Sequence, residues 1–493
     1  MQRLILIFSF FFIINCSFDS KTGIWKDASE AIIESNKDIG DLKENKEYKQ
    51  QKTISQKEHD DDCKWGIVNP PKCKYKIIST YETSSANSKL EDVFFVDKIF
   101  NDVINVNNEI VLKIDPPLNI KNWHQEFLFS NNNTPNFKLS GKTITNKYRL
   151  KELPSDPYLN STIILSNKDN VIFQDKKGQI NIFSLSNNKK IWTYNFYKKE
   201  FKKYKKKISL IIDKNVIYAA DNLGYIYALD IKSQSILWSK FYGIPFRSNL
   251  KIINKQLFVA NQDNILYSIN TDNGSTNWTF ATSLTFLKNK FKNNLAIDVN
   301  NNNINFLNTS GELYSINYVN KKINWVLNFK YISKTDDLKQ FLGKPIIISN
   351  ESILIATDNS FLNYNSFSGS KNWSKPIKLA LKPIVSNNLI YLLTTSNLLV
   401  CLNLSDGNVI WSQNIYKNTN KKQNKIGTIK DFKIINNNLS LFSKNGYLLS
   451  FSYKNGSLTY LSKISRAGLL YKPILTNGTM FLVDKKKKLL AFK

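Results

Sequence analysis

The chain is 493 residues long and carries 69 Lys and Arg against 39 Asp and Glu, which gives a formal net charge of +30. Its 2 His and 4 Cys are too few for Cys/His zinc clusters. A His-based catalytic triad would have to use His59 or His124, and neither lies in a nucleophile motif. A positive charge of this size fits a nucleic-acid-binding protein. Whether that interpretation holds depends on the cellular compartment in which the protein resides.

Residues 1–15 are predicted to be a lipoprotein signal peptide. A positive start around Arg3 precedes residues 4–14, which are apolar with one exception. Such a run is too short to span a membrane and suits the hydrophobic region of a signal peptide. It ends at Asn15-Cys16, which resembles the lipobox of bacterial lipoproteins, where the Cys is diacylated. Asn15 departs from the small residue usual there, and an ordinary signal peptide with an incidental Cys is the alternative.

Residues 16–76 are predicted to be the lipidated Cys followed by a polar tether. The stretch 37–62 is dense in Lys, Glu, Asp and Gln and nearly free of apolar residues, so it cannot bury enough surface to order itself. Cys63 and Cys73 lie ten positions apart, and a local disulfide between them is predicted in an oxidising compartment. A bridge that closes such a loop contributes roughly 3 kcal/mol.

A repeat fills the rest of the chain, and its unit is clearest between Gly224 and Trp238. A Gly or Asn stands 14 residues before an aromatic anchor, positions 2 and 5 of the unit are apolar, and position 10 is a second turn, often Gly. Seven copies end at Trp192, Trp238, Trp278, Trp325, Trp373, Trp411 and Tyr460. With the apolar run ahead of each unit, every copy predicts four short antiparallel strands, which make a propeller blade.

An eighth copy begins near the C-terminus and stops at Lys493, before its anchor strand. Residues 120–127, which contain Trp123, are predicted to supply that strand. We therefore predict an all-β fold over residues 77–493, an eight-bladed β-propeller of four-stranded antiparallel blades, closed by N- and C-terminal strands in one blade. A seven-bladed ring with extra N-terminal strands is the alternative. Trp123 and the seven anchors are predicted to pack adjacent blades together.

The unit Gly-x-Ile-Tyr-Ala-Leu-Asp-(x7)-Trp of residues 224–238 resembles the PQQ-like β-propeller repeat. One class with this repeat is the quinoprotein dehydrogenases, which hold a quinone and a calcium ion in the central channel, with an acidic base and often two adjacent Cys. This chain has no adjacent Cys pair, and acidic residues such as Asp221 and Asp358 stand at predicted turns. We therefore expect no catalytic residue, no metal site and no cofactor.

The order of lipobox, tether and single propeller resembles the BamB family of outer-membrane assembly lipoproteins. The resemblance implies a non-catalytic scaffold, lipid-anchored in the outer membrane and facing the periplasm. Its implied partners are the POTRA domains of the barrel-forming subunit and nascent outer-membrane proteins. In that family an apolar-x-apolar-Arg stretch contacts the partner, and Ile244-Pro245-Phe246-Arg247 matches it. These residues also fit a simple lead into the next blade's innermost strand, and both interpretations can hold together.

Two other functions stay open at this point, a PQQ-dependent dehydrogenase and a periplasmic ligand-binding or wall-binding propeller. Lys-rich stretches at 198–207 and 421–425 fall between repeat units and are predicted to be loops. Export argues against nucleic acid as a partner. The basic loops then fit either a solvated surface or attraction to anionic lipid headgroups or an acidic partner.

Overall fold

The computed structural model describes residues 16–18, 25–27, 99–106, 111–141, 143–150, 153, 164–166, 169–284, 291–329 and 341–493. The predicted signal peptide, most of the predicted tether, Cys63 and Cys73 lie outside the described residues. The chain divides into two compact units, residues 1–91 and 92–493. In the first unit, β1 (Cys16–Phe18) pairs antiparallel with β2 (Trp25–Asp27). No helix within the described ranges has the length and apolar content that crossing a membrane requires.

The second unit is a ring of eight blades, and the prediction of an all-β eight-bladed propeller is confirmed. Blades 1 and 2 contain β5 (Ile164–Ser166), β6 (Asn170–Gln174), β7 (Ile180–Ser184), β8 (Lys189–Tyr194), β9 (Ile208–Asp213), β10 (Val216–Asp221), β11 (Tyr225–Asp230) and β12 (Ser235–Phe241). Blades 3 and 4 contain β13 (Lys251–Ile253), β14 (Gln256–Ala260), β15 (Ile265–Asn270), β16 (Thr276–Ala281), β17 (Asn294–Asp298), β18 (Asn303–Leu307), β19 (Glu312–Asn317) and β20 (Ile323–Asn328).

The remaining blades follow the same order of strands. Blades 5 and 6 contain β21 (Ile347–Ser349), β22 (Ser352–Ala356), β23 (Phe361–Asn365), β24 (Lys371–Lys375), β25 (Ile384–Ser386), β26 (Leu389–Leu393), β27 (Leu398–Asn403) and β28 (Val409–Asn414). Blades 7 and 8 contain β3 (Asn136–Phe137), β29 (Ile429–Ile435), β30 (Asn438–Ser443), β31 (Tyr447–Ser452), β32 (Leu458–Lys463), β33 (Ile474–Thr476), β34 (Thr479–Val483), β35 (Lys488–Phe492) and β4 (Ile144–Arg149). Between blades lie a 3-10 helix (Lys199–Lys203) and α1 (Gln423–Ile426).

We name the four strands of each blade a to d from the axis of the ring outwards. The turn between strands b and c carries the repeat's first Gly or Asn, and positive φ angles there, such as +92° at Gly224 and +60° at Asn264, explain those residue types. Asn359 of blade 5 is the exception, because its turn is one residue shorter and closes with a bond from Thr357 N–H to Ser360 O.

The ring closes in blade 8, where strand d is β4 rather than the predicted segment 120–127. The prediction of a closing strand from both chain ends is confirmed, but its placement at Trp123 is wrong. Asn146 pairs with Ala491, which is the pairing that Trp238 makes with Ala228 in blade 2. Strand β4 is largely exposed, so no apolar pattern was required to build it, and the position of the aromatic anchor holds an Asn.

The aromatic anchors of strand d contact the following blade. Trp373 donates its indole N–H to Leu404 O of blade 6 at 2.9 Å, and its ring covers Gly407 so closely that a Cβ there would lie 2.6 Å away. The same two contacts join Trp238 to Thr271 and Gly274, Trp325 to Ser366 and Gly369, and Trp411 to Tyr453 and Gly456. The corresponding positions of strand d hold Trp192, Trp278 and Tyr460. The buried apolar clusters accordingly lie between neighbouring blades, as around Trp373 and Val400.

Because the strands alternate in direction, the ring has two chemically different faces. One face carries the a–b and c–d turns, and the other carries the b–c turns and the connections between blades. We call the first the plugged face, because an N-terminal segment of the chain covers it, and the second the open face.

Candidate functional site

Residues 111–141 cross the plugged face and enter the centre of the ring before the chain reaches strand d of blade 8. The backbone N–H groups of strands a and of their a–b turns donate to this segment. Four such bonds are Ile212 to His124 O, Ile297 to Ser130 O, Ile348 to Asn131 O and Asn477 to Ile120 O, at 2.8–3.0 Å. Innermost strands have an unpaired edge, and here the chain itself satisfies it. We call residues 123–134 the plug.

Asn132 anchors the plug at the centre of the ring. Its side chain is fully buried, and its amide nitrogen donates to Asn294 Oδ1, Leu295 O and Ile346 O at 3.0–3.2 Å. Its φ of +63° lies in the left-handed region, which Asn accepts more readily than most residues. One side chain thus ties the plug to the innermost strands of blades 4 and 5.

Two lysines hold the plug through its carbonyl oxygens. Lys251 is fully buried, and its Nζ donates to Phe129 O at 2.9 Å and to Gln125 Oε1 at 3.3 Å. Lys382 Nζ donates to Asn132 O at 2.8 Å. Burial lowers the pKa of Lys251 to about 7, although the nearby Glu126 carboxylate opposes the shift. Burial and repulsion from Lys433 lower the pKa of Lys382 to about 7 as well.

Trp123, the first residue of the plug, belongs to the buried apolar cluster that also contains residues of blades 7 and 8. Its ring stacks on Phe137 with 5.9 Å between centroids, and Lys433 Nζ lies 5.2 Å above its centroid. Phe137 itself forms part of β3, which adds to blade 7 as a parallel strand inside β29. Trp123 therefore packs the inner end of the N-terminal segment against blades 7 and 8 rather than acting as the anchor of a strand d.

The open face carries a cluster of aromatic side chains where blades 1 and 2 meet. Centroid distances of 5.1, 6.0 and 4.6 Å connect Tyr225 to Phe196, Phe201 and Phe241. Phe241 is 63% exposed and Tyr204, which lies next to Phe201, is 61% exposed. We call these five residues the aromatic patch. Exposed aromatic clusters of this kind are typical of protein interfaces, because such rings bury large areas at low entropic cost.

The Lys-rich stretch 198–207 borders this patch. It lies between blades, as predicted, but its first half forms the 3-10 helix Lys199–Lys203 where the sequence predicted only a loop. Lys206 is the exception in the stretch, since its side chain is buried and its Nζ donates to Phe201 O. The other lysines of the stretch that the structure describes point to solvent. The surface is therefore both aromatic and strongly basic.

The predicted partner-contact residues lie beside the patch, in the connection from blade 2 to blade 3. Ile244 and Arg247 are partly exposed. Phe246 is only 7% exposed, packs against Tyr242 and Tyr267 at 5.4 and 5.8 Å, and forms a bridge with Asn261. The structure thus uses Phe246 to lead into the next blade, whereas Ile244, Pro245 and Arg247 keep part of their surface exposed to a partner.

Comparison with known proteins identifies the family. The family model described as "Outer membrane protein assembly factor BamB" matches residues 141–280, 176–413 and 299–493. The chain belongs to the BamB family. BamB from Moraxella catarrhalis has a similar structure, with 13% identity, a TM-score of 0.55, and coverage of 71% of this chain and 99% of that one.

The fold extends beyond the BamB family. Quinohemoprotein alcohol dehydrogenase from Comamonas testosteroni matches with 10% identity and a TM-score of 0.56 over 75% of this chain and 80% of that one. Sqt1 from Saccharomyces cerevisiae matches with 12% identity and a TM-score of 0.50 over 74% and 99%. At these identities the likeness concerns the fold alone. A search of curated protein sequences found no match.

The described residues do not fit the quinone and calcium ion of a quinoprotein. The plug occupies the ring centre, and across the described ranges no three His, Cys, Asp or Glu side chains converge. Asp221 instead stabilises the turn that it begins, because its Oδ1 accepts hydrogen bonds from the backbone N–H groups of Leu223 and Tyr225 at 2.9 Å. Cys401 is buried, and burial raises the pKa of its thiol to about 12, with a bond to Tyr391 opposing the shift.

Sequence reasoning missed the plug and the aromatic patch. The plug has no periodic pattern, and the bonds of its central residue, Asn132, join it to residues 163 and 214 positions later. The patch combines three residues of the connection between blades 1 and 2 with Tyr225 and Phe241 from strands of blade 2, and no single stretch of sequence shows that they meet. A signal for the patch was present in the density of aromatics among the lysines of 198–207.

Proposed function

We propose that this protein is a non-catalytic scaffold of the outer-membrane β-barrel assembly machinery. It binds the periplasmic POTRA domains of the barrel-forming subunit and aids the insertion of outer-membrane proteins. It is associated with the outer membrane and faces the periplasm. Membership of the BamB family supports this assignment.

The plugged axis carries the proposal. Quinoproteins work from the channel of the ring, and here the chain's own residues hydrogen-bond across it to the innermost strands of blades 2 to 8. Buried, hydrogen-bonded backbone in the channel stabilises the ring. Binding of a partner is therefore expected at the outer surfaces of the ring rather than deep in its channel. A rigid ring with turns displayed at both ends suits the display of binding surfaces.

The open face is the binding face in this proposal. The aromatic patch supplies apolar contact area, and Ile244 and Arg247 extend it towards blade 3. Arg pairs well with carboxylates because its guanidinium donates two parallel hydrogen bonds. Aromatic and Arg side chains also account for most binding hot spots. The neighbouring lysines speed encounter with an acidic partner.

Lipidation at Cys16 is part of the proposal. Two acyl chains hold a protein stably at a bilayer, whereas a single chain binds reversibly. In the Cys16→Ser variant we expect the protein to move from the membrane fraction to the soluble fraction of the periplasm. Retention of the variant in the membrane would argue against the lipid anchor.

Capture by the POTRA domains tests the assignment. We expect the purified full chain to bind immobilised POTRA domains of the barrel-forming subunit from the same organism, and Arg247→Glu to weaken binding at least tenfold. Unchanged thermal unfolding of the variant is the control for folding. Failure of the wild-type chain to bind any POTRA domain would overturn the proposal.

Reconstitution with quinone and calcium separates the scaffold from the dehydrogenase. The scaffold predicts that the treated protein reduces no electron-accepting dye in the presence of alcohols or sugars. Substrate-dependent dye reduction that requires both additions would contradict it.

A further inference from the structure

The mouth of the ring on the open face is lined with basic side chains from many blades. Six blades each carry a Lys close to the start of strand a. Five of them precede the strand, namely Lys207, Lys292, Lys344, Lys378 and Lys472, and Lys430 is the second residue of its strand. Arg247 occupies the same place in blade 3. The strands all begin on this face, so the repeat gathers the charges around one opening.

A cavity of about 380 Å³ lies inside this mouth. Glu126 and Phe127, at the tip of the plug, line it together with Lys292, Lys344 and Lys378. Lys292 reaches deep into the wall, exposes only part of its surface, and forms no side-chain hydrogen bond with any described residue. Within the described part of the chain, no acceptor is therefore hydrogen-bonded to the Lys292 ammonium in this cavity.

The lysines also act on one another electrostatically. Burial lowers the pKa of Lys292, Glu126 opposes that shift, and Lys207 and Arg247 add to it. Burial lowers the pKa of Lys344 too, where Asp358 opposes the shift and Lys378 and Lys472 reinforce it. A concave, partly desolvated site with mutually repelling cations concentrates the field on an incoming anion.

We infer that this mouth binds an acidic segment of a protein partner, with carboxylates placed on Lys292 and Lys344. The lysines come from several blades, so their ammonium groups are spaced more widely than one small ion can bridge. Consecutive Asp and Glu side chains of a polypeptide match that spacing. Ammonium–carboxylate hydrogen bonds are among the stronger polar contacts in proteins. The inference concerns the mouth of the ring. Arg247 borders both the mouth and the aromatic patch, so the test below changes lysines of the cavity and leaves Arg247 in place.

Fluorescence anisotropy with labelled hexaglutamate tests the inference on the purified full chain. We expect saturable binding, and Lys292→Gln with Lys344→Gln to raise the dissociation constant at least tenfold. The matched control is Lys321→Gln with Lys322→Gln, which removes the same charge from a c–d turn of the plugged face and leaves the dissociation constant within twofold. Gln234 stands at the position equivalent to Lys321 in blade 2 with the same positive φ, so this control is compatible with the fold.

Three results would overturn the inference. One is the absence of saturable binding, and another is an equal loss of affinity in both double variants, which would mean that only net charge matters. The third is stronger competition by tripolyphosphate than by unlabelled hexaglutamate at equal charge, which would indicate a small phosphate ligand. If the first double variant fails to fold, Lys378→Gln, on the same cavity wall and partly exposed, is expected to weaken binding at least threefold.

Discussion

The two faces of the ring use the same strands for opposite purposes. At the plugged face the innermost strands meet the chain's own N-terminal segment, and polar groups such as Asn132 and Lys251 are buried and hydrogen-bonded. At the open face the same strands begin among lysines, and aromatic rings such as Phe241 stay exposed. In the proposed function, stability depends on the plugged face and recognition on the open face, because buried polar networks are costly to break and exposed aromatics are available to bind.

Removal of the plug's central anchor gives the largest expected effect. Asn132→Ala leaves Ile346 O without its side-chain donor and places an Ala at φ +63°. We expect a loss of about 2–4 kcal/mol in the free energy of unfolding. Urea unfolding followed by tryptophan fluorescence measures it. Asn132→Gly removes the donor but accepts the φ, so the difference between the two variants isolates the backbone strain.

An equal stability of wild type and both Asn132 variants would mean that the plug adds nothing to the ring. The claim that the plugged face stabilises the ring would then be wrong.

The pH dependence of stability gives the next effect. Lys251 has a pKa of about 7 in the folded chain and 10.5 when unfolded, so between these values the unfolded chain binds more protons. Stability therefore rises with pH across that window, by up to about 1.4 kcal/mol per pH unit from this residue. In Lys251→Met we expect the slope between pH 7.5 and 9.5 to fall by that amount. An unchanged slope would place the Lys251 ammonium in a solvated site.

Neutralisation of the basic border of the aromatic patch has a smaller effect, on kinetics. With Lys198, Lys199, Lys202 and Lys203 changed to Gln, we expect association with POTRA domains at low salt to slow several-fold, equivalent to about 1 kcal/mol. The difference is expected to shrink at high salt because screening removes the steering. Stopped-flow binding at two ionic strengths measures both, and a salt-independent effect would assign these lysines direct contacts instead.

The smallest expected effect is on the stability of the aromatic patch itself. Phe241→Ser changes a side chain that is 63% exposed, so we expect the free energy of unfolding to change by less than about 0.5 kcal/mol. The matched variant on the plugged face is Phe367→Ser, at a 72% exposed Phe in a c–d turn. Denaturation midpoints of the two variants test it. A loss above 2 kcal/mol in Phe241→Ser would make the patch part of the core.

The sequence predicted what is periodic and missed what is not. The fixed spacing from the first turn to the aromatic anchor was sufficient for blades 1 to 7. Four of the anchors also lie against a Gly of the next blade, as Trp373 does against Gly407, whereas the equivalent positions that follow Trp192 and Trp278 hold Gln234 and Lys321. Closure was predictable from the truncated eighth copy. The identity of the closing strand was not, because β4 is exposed and holds Asn146 where an aromatic was expected.

The candidate site was harder to predict for the same reason. Arg247 and Ile244 were found through a family pattern, and Phe246 matched that pattern although the structure buries it. A strand-like sequence does not reveal which side of a connection faces the core. The plug requires contacts that span from 88 positions, between His124 and Ile212, to 252 positions, between Asn133 and Val385, and no local pattern encodes them.

The dissociation constant for the POTRA domains, measured for one variant of each face, tests the central claim most directly. Tyr225→Ser with Phe241→Ser alters the open face, and Val319→Ser with Phe367→Ser removes two exposed apolar side chains from c–d turns of the plugged face. We predict at least a tenfold rise in the dissociation constant for the first variant and a change within twofold for the second. The reverse pattern, with the plugged-face variant losing binding and the open-face variant keeping it, would contradict the account.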